Sequence, residues 1–357
     1  MYIYVGSRTT RERNARGKGI SVFHFDQDSA RLALVQELGG LVNPSFLAID
    51  RPGRHLYTVH GDCDQVSSFS IDAQSGMIGY LGSQTTQGRN PVHLALSASE
   101  RFLVVSNHLS SSLAVLPVTP DGMIEPLVQR LVLHGPVGPH RSEQPHSKPH
   151  FNLFDPSGRF VMVPDKGLDR IFSFEFTDGH LRQSNPPFVE CREHAGPRNL
   201  VFHPKLSRAY VVNELDSSVT TYRFDPDNGG LRPMQIIPTL PQDFTGNSRA
   251  SSIEIDPSGK FLYASNRGLD CLAIFSIDQV SGWLTFLGVQ ETLGSTPRFF
   301  AVEPSGRFLF VANEDSDSIV TFLLDPVSGS LTQVGDMTPV ASPVSIVFRT
   351  TSVRAHA

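Results

Sequence analysis

The amino-acid sequence predicts an all-β fold, a seven-bladed β-propeller built from four-stranded antiparallel blades. Three observations lead to this prediction: a phrase that recurs seven times, four short strand-like runs in each repeat, and one repeat divided between the two chain ends. Repeats with a period of about 20–50 residues are typical of arrays, solenoids and propellers. We therefore expect a single closed domain over residues 1–357, although length alone would suggest roughly two or three domains.

The recurring phrase contains two strand-like runs separated by a turn. Its copies start at residues 44, 91, 149, 197, 250, 297 and 343, which gives units of about 46–58 residues. Clear copies are PHFNLFDPSGRFVMVPD from Pro149 and PRFFAVEPSGRFLFVAN from Pro297. The Pro, Ser and Gly between the two runs favour a tight turn, so the first two strands should form a hairpin.

Two further strands follow in each unit. The third is recognisable as VSSFSI, CLAIFSI or SIVTFLL, and the fourth follows a Gly-containing or polar turn, as in SGWLTFLGV. One such sheet leaves both of its faces exposed, whereas seven sheets arranged radially bury each face against a neighbour. Because a closed ring protects its strand edges, we expect a monomer.

The seventh unit indicates how the ring closes. It begins with PVSIVF at Pro343 and lacks a second strand, which MYIYVGS at the N-terminus can supply. We expect these two segments to pair within one blade. Two insertions interrupt the repeat, residues 130–148 before the third unit and residues 238–248 before the fifth.

Composition argues against several classes of function. The net charge of -5 disfavours a nucleic-acid partner. The N-terminus lacks the pattern of a signal peptide, and no apolar run has the length of a membrane span. The cysteines, Cys63, Cys191 and Cys271, have no metal-like spacing and indicate a reducing compartment. We expect a cytoplasmic protein with no cofactor and no membrane or nucleic-acid partner.

Charged residues concentrate at two positions of the repeat. One follows the first residue of a unit, and the other follows the Asn-like residue that ends the second strand. Because these strands form a hairpin, both positions lie at one end of the blade, at one mouth of the central channel. Units three to six place these residues there: His150, Lys166, Arg198, Glu214, Arg267, Arg298 and Glu314. The other units mostly supply Ser, Val or Gly, apart from His108 and, in the divided unit, Arg8.

This cluster predicts a site for a small anionic substrate. Guanidinium groups bind carboxylate or phosphate in bidentate fashion, and His and Glu can transfer protons near neutral pH. An alternative is that Arg198–Glu214 and Arg267–Glu314 are ion pairs that hold neighbouring blades together. We favour a site, because units one, two and seven do without these pairs.

The insertion before the third unit is rich in histidine and reads HGPVGPHRSEQPHSKPH from His134. The spacing of its histidines matches no zinc pattern, and its Pro and Gly content predicts an irregular loop, so we expect no metal. We expect the loop to lie over the channel mouth, with His146 and His150 facing the ligand. Asn152 should follow on the same strand face as His150, because side chains alternate along a strand.

Several of these motifs are similar to those of a known family. The stretches PHFNLFDPSGRFVMVPDKGLDRI, AGPRNLVFHPKLSRAYVVNELDSSV, FLYASNRG and PRFFAVEPSGRFLFVANEDSDSIVTF resemble the seven-bladed propeller lactonases. That family contains the propeller-type 6-phosphogluconolactonases and the fungal 3-carboxy-cis,cis-muconate lactonizing enzymes. The resemblance covers essentially the whole chain, and Lys148 and Lys166 depart from the family pattern.

The resemblance implies an active-site set of one His, two Arg and one Glu. The matching motifs place this catalytic set at His150, Arg198, Arg267 and Glu214. The remaining mouth positions and the insertion supply the candidate substrate-binding residues: His146, Asn152, Lys166, Arg298 and Glu314.

Two reactions fit this constellation. The first is hydrolysis of an anionic sugar lactone such as 6-phosphogluconolactone, with Arg198 and Arg267 on the anionic group and His150 or Glu214 activating water. The second is cyclization of a carboxylated muconate, in which His150 or Glu214 protonates the alkene. The sequence leaves both reactions and both proton carriers open. A non-catalytic scaffold is the third possibility, and it predicts an apolar face that the sequence does not show.

Overall fold

Seven antiparallel sheets surround a central channel in the computed structural model, which describes residues 1–349. Six of the sheets contain four strands in consecutive chain order, and one of these, the sixth blade, carries one additional short strand. The seventh sheet combines the last described strand with the first three. The predicted seven-bladed propeller is therefore confirmed. Residues 350–357 of the predicted domain lie outside the described residues. Within the described part of the chain, no helix is long and apolar enough to cross a membrane.

The strands are numbered in chain order and grouped into blades. Blade 7 begins the chain with β1 (Tyr2–Ser7), β2 (Gly19–Asp26) and β3 (Arg31–Gly39), and a 3-10 helix (Arg11–Arg13) lies between its first two strands. Blade 1 consists of β4 (Pro44–Ile49), β5 (His55–His60), β6 (Gln65–Ile71) and β7 (Ile78–Thr85). Blade 2 consists of β8 (Pro91–Leu96), β9 (Phe102–Asn107), β10 (Ser112–Pro117) and β11 (Gln129–Val132). Blade 3 consists of β12 (Leu153–Phe154), β13 (Phe160–Asp165), β14 (Arg170–Thr177) and β15 (His180–Glu190). Blade 4 consists of β16 (Pro197–Phe202), β17 (Arg208–Asn213), β18 (Ser218–Phe224) and β19 (Leu231–Pro238). Blade 5 consists of β20 (Arg249–Ile255), β21 (Phe261–Arg267), β22 (Cys271–Ile277) and β23 (Leu284–Glu291). Blade 6 consists of β24 (Pro297–Val302), β25 (Phe308–Asn313), β26 (Ser318–Leu324), β27 (Leu331–Gln333) and the additional β28 (Thr338–Pro339). The last strand, β29 (Pro343–Arg349), completes blade 7.

Blade 7 closes the ring by joining the two ends of the chain. Strand β29 pairs antiparallel with β1, and Tyr4 lies opposite Val347 in this register. Strand β29 also contacts the inner strands on both sides, β24 and β4. The predicted pairing of MYIYVGS with SIVF is thus confirmed.

The hydrophobic core is divided into seven clusters, one between each pair of neighbouring blades. Strand alternation explains this division, because successive side chains of a strand point to opposite faces of the sheet. In β21, Leu262 and Ala264 pack against blade 4, whereas Phe261 and Tyr263 pack against blade 6. Each blade therefore buries both faces, and the channel is left as the place for polar side chains.

The turn between the first two strands is fixed by the aspartate in the repeated DPSG sequence. In blade 3, Asp155 Oδ1 accepts a hydrogen bond from the Phe160 amide at 2.7 Å, and its Oδ2 accepts one from the Ser157 amide at 3.0 Å. Gly158 has a φ of +75°, which a glycine adopts without strain. This turn sets the hairpin, whose open end carries both mouth positions.

A β-bulge lies near the start of the inner strands. The pairing with the second strand shifts by one residue at these places: between Pro44 and Phe46, Pro91 and His93, Pro197 and Asn199, and Pro297 and Phe299. In a bulge, two residues of one strand lie opposite a single residue of its partner, so a side chain is turned to a new direction. Two successive residues of these strands consequently face the channel.

Candidate active site at the channel mouth

A polar cavity of about 280 Å³ opens at the mouth where the inner strands begin. Its volume is near the lower end of the range for small-molecule sites. Six of the residues proposed from the sequence line it: His150, Lys166, Arg198, Glu214, Arg267 and Arg298. The two mouth positions therefore converge in space as the hairpin argument predicted.

Three predicted site residues lie outside the lining of this cavity. Asn152 is fully buried, and its Nδ2 donates to Ser106 Oγ in blade 2 at 2.9 Å. The expectation that it shares a face with His150 is wrong, because the pairing shifts by one residue between Pro149 and β12. His146 turns its Nδ1 to the Ser147 carbonyl at 2.8 Å instead of the ligand space.

Glu314 is the third of these residues, and it acts through two arginines that line the cavity. Its Oε1 lies 3.1 Å from Arg8 Nε, and its Oε2 lies 3.7 Å from Arg298 Nη1. The Arg267–Glu314 pair considered from the sequence is replaced by these contacts. On the same side of the mouth, Arg13 forms an ion pair with Asp62.

Glu214 is the centre of a second, larger charge cluster. Its Oε1 lies 3.1 Å from Lys166 Nζ, 3.3 Å from Arg267 Nη2 and 3.8 Å from Arg249 Nη1. Its Oε2 lies 3.0 Å from Arg198 Nε. Burial opposes ionisation of Glu214, but the positive charges of Arg267, Lys166 and Arg198 hold its pKa well below the usual range. Glu214 is thus a buried carboxylate, and each of its two oxygens contacts at least one cation.

The guanidinium groups around Glu214 are held by backbone carbonyls as well. Arg198 Nη1 donates to the Ser251 carbonyl at 2.6 Å, and Arg267 Nη2 donates to the Ala250 carbonyl at 3.1 Å. The Nε of Arg267 is buried without a hydrogen-bond partner among residues 1–349. This N–H thus has no acceptor within the described residues, and its side chain lines the cavity.

Two histidines, His108 and His150, line the cavity beside this charge cluster. The rings of His108 and His150 pack edge to face with their centroids 5.2 Å apart. Burial, with Arg198 acting in the same direction, lowers the pKa of His150 well below its usual range. Burial and then the charge of Lys166 lower the pKa of His108 to about 3. The Nδ1 atom of each ring is buried and has no hydrogen-bond partner within the described residues.

An aromatic layer lies one residue deeper along the inner strands. His93 packs against Phe46 and Phe151, with ring centroids 4.1 Å and 3.7 Å apart, and Phe46 also contacts Phe299 at 6.0 Å. All four line the cavity, because the bulge turns the residue after the mouth position into the channel. Sequence reasoning missed this layer, although an aromatic residue recurs at this position in several units.

Two charged residues near the mouth were also missed. Arg249 directly precedes the fifth unit, and Glu143 lies in the histidine-rich insertion. Glu143 Oε1 lies 2.6 Å from Arg249 Nη1, and its Oε2 lies 3.0 Å from Lys166 Nζ. Arg249 could have been predicted near the mouth, because it directly precedes the start of a unit. No pattern in the sequence indicated that Glu143 lies there.

The histidines of the insertion do not converge. His140 stacks on His194 with centroids 5.1 Å apart, while His150 faces the cavity. Across residues 1–349, no group of three or more His, Cys, Asp or Glu side chains is arranged to hold a metal ion.

Comparison with known proteins identifies the family. Residues 2–348 match the family model described as lactonase, 7-bladed beta-propeller. The chain belongs to this family. The family prediction made from the four sequence stretches is therefore confirmed.

Similar proteins extend this result. A 6-phosphogluconolactonase of Bacillus subtilis (strain 168) is 33% identical to this propeller lactonase over 300 residues, which cover 83% of each chain. A 6-phosphogluconolactonase of Formosa agariphila is 33% identical over 318 residues, which cover 84% of this chain and 86% of that one. A solved structure, a periplasmic gluconolactonase of Pseudomonas aeruginosa, superimposes with a TM-score of 0.90 at 30% identity, covering 98% and 99% of the two chains. These relatives support a lactonase activity for the propeller lactonase described here.

Proposed function

We propose that this propeller lactonase hydrolyses a sugar lactone with one anionic group, such as 6-phosphogluconolactone. The observation that carries the proposal is that a half-buried, neutral His150 lines a cationic cavity whose central glutamate is already neutralised by its own cations. The reaction takes place at the mouth of the channel. The names of the related proteins support the same reaction and the same substrate class.

The anionic group of the substrate binds on the side of Arg298 and Arg8. These two guanidinium groups share one carboxylate, Glu314, so this side keeps an excess of positive charge. Burial and the nearby charge of Arg8 lower the pKa of Arg298 well below its usual range, which indicates a cation short of counter-charge. Arg198 and Arg267, assigned to this role from the sequence, are instead held by Glu214.

Replacing Arg298 with Met should therefore raise the KM for 6-phosphogluconolactone by about 10- to 100-fold, since a charge-assisted hydrogen bond is lost. The KM for uncharged gluconolactone should stay within about threefold, because that substrate lacks the phosphate. The measurement is a steady-state comparison of both lactones. Arg192→Met, which removes an exposed arginine paired with Asp216, serves as the control. An equal loss with both lactones would contradict the assignment.

The chemical step uses His150 as the base. His150 takes a proton from the water that attacks the lactone carbonyl, and the buried Nε–H of Arg267 donates to the oxyanion that develops. When the ring C–O bond breaks, the protonated His150 returns the proton to the leaving ring oxygen. The immediate products are a carboxylic acid and a hydroxyl, and the acid then loses its proton to solvent. The overall reaction therefore adds one water and releases one proton.

The charge states favour hydrolysis over cyclization. Lactonization of a muconate needs an acid that delivers a proton to carbon. The lowered pKa values of His150 and Glu214 leave both groups unprotonated near neutral pH. The deciding experiment compares hydrolysis of freshly generated 6-phosphogluconolactone with cyclization of 3-carboxy-cis,cis-muconate by the same enzyme. Cyclization without hydrolysis would overturn the proposal.

The pH dependence provides an independent check on the base. A general base works when unprotonated, so activity is lost as pH falls through its pKa. Because burial and Arg198 lower the pKa of His150, kcat/KM for gluconolactone should stay constant as pH falls through about 6.5, the ordinary imidazole value. Arg198→Gln removes a positive charge and should move the acidic limb to higher pH. A wild-type limb at the ordinary value would contradict this assignment.

A further inference from the structure

One carboxylate joins the histidine-rich insertion to the first residue of β20. Glu143 belongs to the insertion before unit three, and Arg249 directly follows the insertion before unit five. Glu143 lies 2.6 Å from Arg249 Nη1 and 3.0 Å from Lys166 Nζ. We call Glu143, Lys166 and Arg249 the charge bridge. It lies beside Glu214, whose Oε1 contacts the same two cations.

The position of Glu143 is fixed by its neighbours in the loop. The side chain of Gln144 donates to the Lys166 carbonyl at 2.9 Å and accepts from the His140 amide at 3.0 Å. The Gly138 amide donates to the Gly167 carbonyl at 2.9 Å. The loop is therefore docked on the end of blade 3, and Glu143 is directed to the cations by the fold.

The bridge changes the charge balance at the reacting end of the cavity. Four cations meet two carboxylates here: Lys166, Arg198, Arg249 and Arg267 with Glu143 and Glu214. Burial works against ionisation of Glu143, but its bonds with Arg249 and Lys166 lower its pKa to about 2. Its negative charge is consequently present near neutral pH.

Hydrolysis changes the charge of the ligand at this end. The lactone carbonyl is neutral, whereas the product has a carboxylate in its place. The substrate therefore carries one anionic group and the product carries two. Cations without counter-charge near the new carboxylate would bind the product more tightly than the substrate, which slows turnover.

We propose that Glu143 is a specificity-determining residue that lets the site distinguish the singly anionic lactone from its doubly anionic product. It compensates one of the positive charges of Lys166 and Arg249 in advance and repels a carboxylate at the reacting end. The inference rests on the proposed function. Its consequence is rapid release of the hydroxy acid after each turnover.

The test measures the binding of stable ligands by calorimetry. The first ligand is 6-phosphogluconate, which has a phosphate and a carboxylate, and the second is glucose 6-phosphate, which has the phosphate alone. Glu143→Gln should tighten 6-phosphogluconate about tenfold, because Lys166, which lines the cavity, loses one of its two counter-charges, a change worth roughly one power of ten. Glucose 6-phosphate should change by less than about twofold.

Two further variants separate charge from loop position. Glu143→Asp keeps the charge and should retain the wild-type ratio of the two affinities. Glu190→Gln removes the same charge from an exposed pair with Arg170 on the outer part of blade 3 and should change neither affinity. Far-UV circular dichroism and thermal melting confirm that each variant is folded.

The outcomes divide cleanly. The inference is overturned if Glu143→Gln leaves the ratio of the affinities for 6-phosphogluconate and glucose 6-phosphate unchanged. It is also overturned if Glu143→Gln and Glu143→Asp change this ratio equally. If wild type binds both ligands and Glu143→Gln changes the ratio of their affinities as expected, but wild type hydrolyses no lactone, the proposed function is refuted. The discrimination between the two ligands by Glu143 then still holds. If no variant binds either ligand, the proposed substrate class falls, and this role of Glu143 falls with it.

Discussion

Replacing His150 with Gln is expected to lower kcat/KM for lactone hydrolysis by about 100- to 10,000-fold, the usual contribution of a positioned general base. Glutamine keeps much of the volume of imidazole but does not take up a proton near neutral pH. His150 is half-buried at the mouth, and its Nδ1 has no partner among the described residues, so the substitution breaks no hydrogen bond of that atom. The measurement is steady-state hydrolysis of 6-phosphogluconolactone, corrected for the spontaneous reaction.

Two other histidines make this prediction specific. His140→Gln alters the same insertion but lies against His194, so it should retain nearly full activity. His108→Gln changes the ring that packs against His150 and should lower activity less than His150→Gln does. A His150→Gln enzyme within a few-fold of wild type would refute the base assignment, and a larger loss in His108→Gln would transfer that role to His108.

The fold follows from local signals that repeat. The Asp of the DPSG turn fixes the hairpin through its own hydrogen bonds, as Asp155 does with the Phe160 and Ser157 amides. Alternation then sends neighbouring side chains of a strand to different blades. Because both signals lie within a few residues of each other, the strands could be placed from the sequence. The divided unit supplied the long-range pairing of β1 with β29.

The sequence predicted those residues of the candidate site that the hairpin of each blade places at the channel mouth, and no others. The mouth positions of His150, Arg198 and Glu214 were correctly brought to one cavity. The bulge added residues such as Phe46 to the lining and moved Asn152 out of it. A bulge depends on the pairing of two strands, so counting along one strand does not reveal it.

Ion-pair partners were the least predictable feature. Arg267 forms an ion pair with Glu214 in blade 4, and Glu314 forms ion pairs with Arg298 and Arg8. These choices depend on the width of the channel and on side-chain lengths across it, neither of which the repeat encodes. Glu143 comes from an irregular insertion without periodicity, so its contact with Lys166 emerges only in three dimensions.

Replacing Glu214 with Gln is expected to lower the free energy of unfolding by about 3–5 kcal/mol, the usual cost of breaking a buried ion pair from one side. The side chain of Glu214 is 6% exposed, and that of Arg198 is 5% exposed. Glutamine fills the same space but leaves Lys166, Arg198 and Arg267 without their common counter-charge. Urea unfolding, followed by far-UV circular dichroism, measures the change through the shift in midpoint.

An added anion should restore part of this stability, because the variant has a cationic cavity ready to bind it. Inorganic phosphate stabilises a folded state that it binds according to its concentration relative to Kd, so it should raise the midpoint of Glu214→Gln more than that of wild type. Glu190→Gln removes an exposed charge, 70% accessible, and should cost less than about 1 kcal/mol and respond to phosphate as wild type does. Equal stability of Glu214→Gln and wild type would show that the cations find other partners. A phosphate response larger in Glu214→Gln than in wild type and Glu190→Gln would instead identify Glu214 as the internal anion that holds the cations of the channel mouth together.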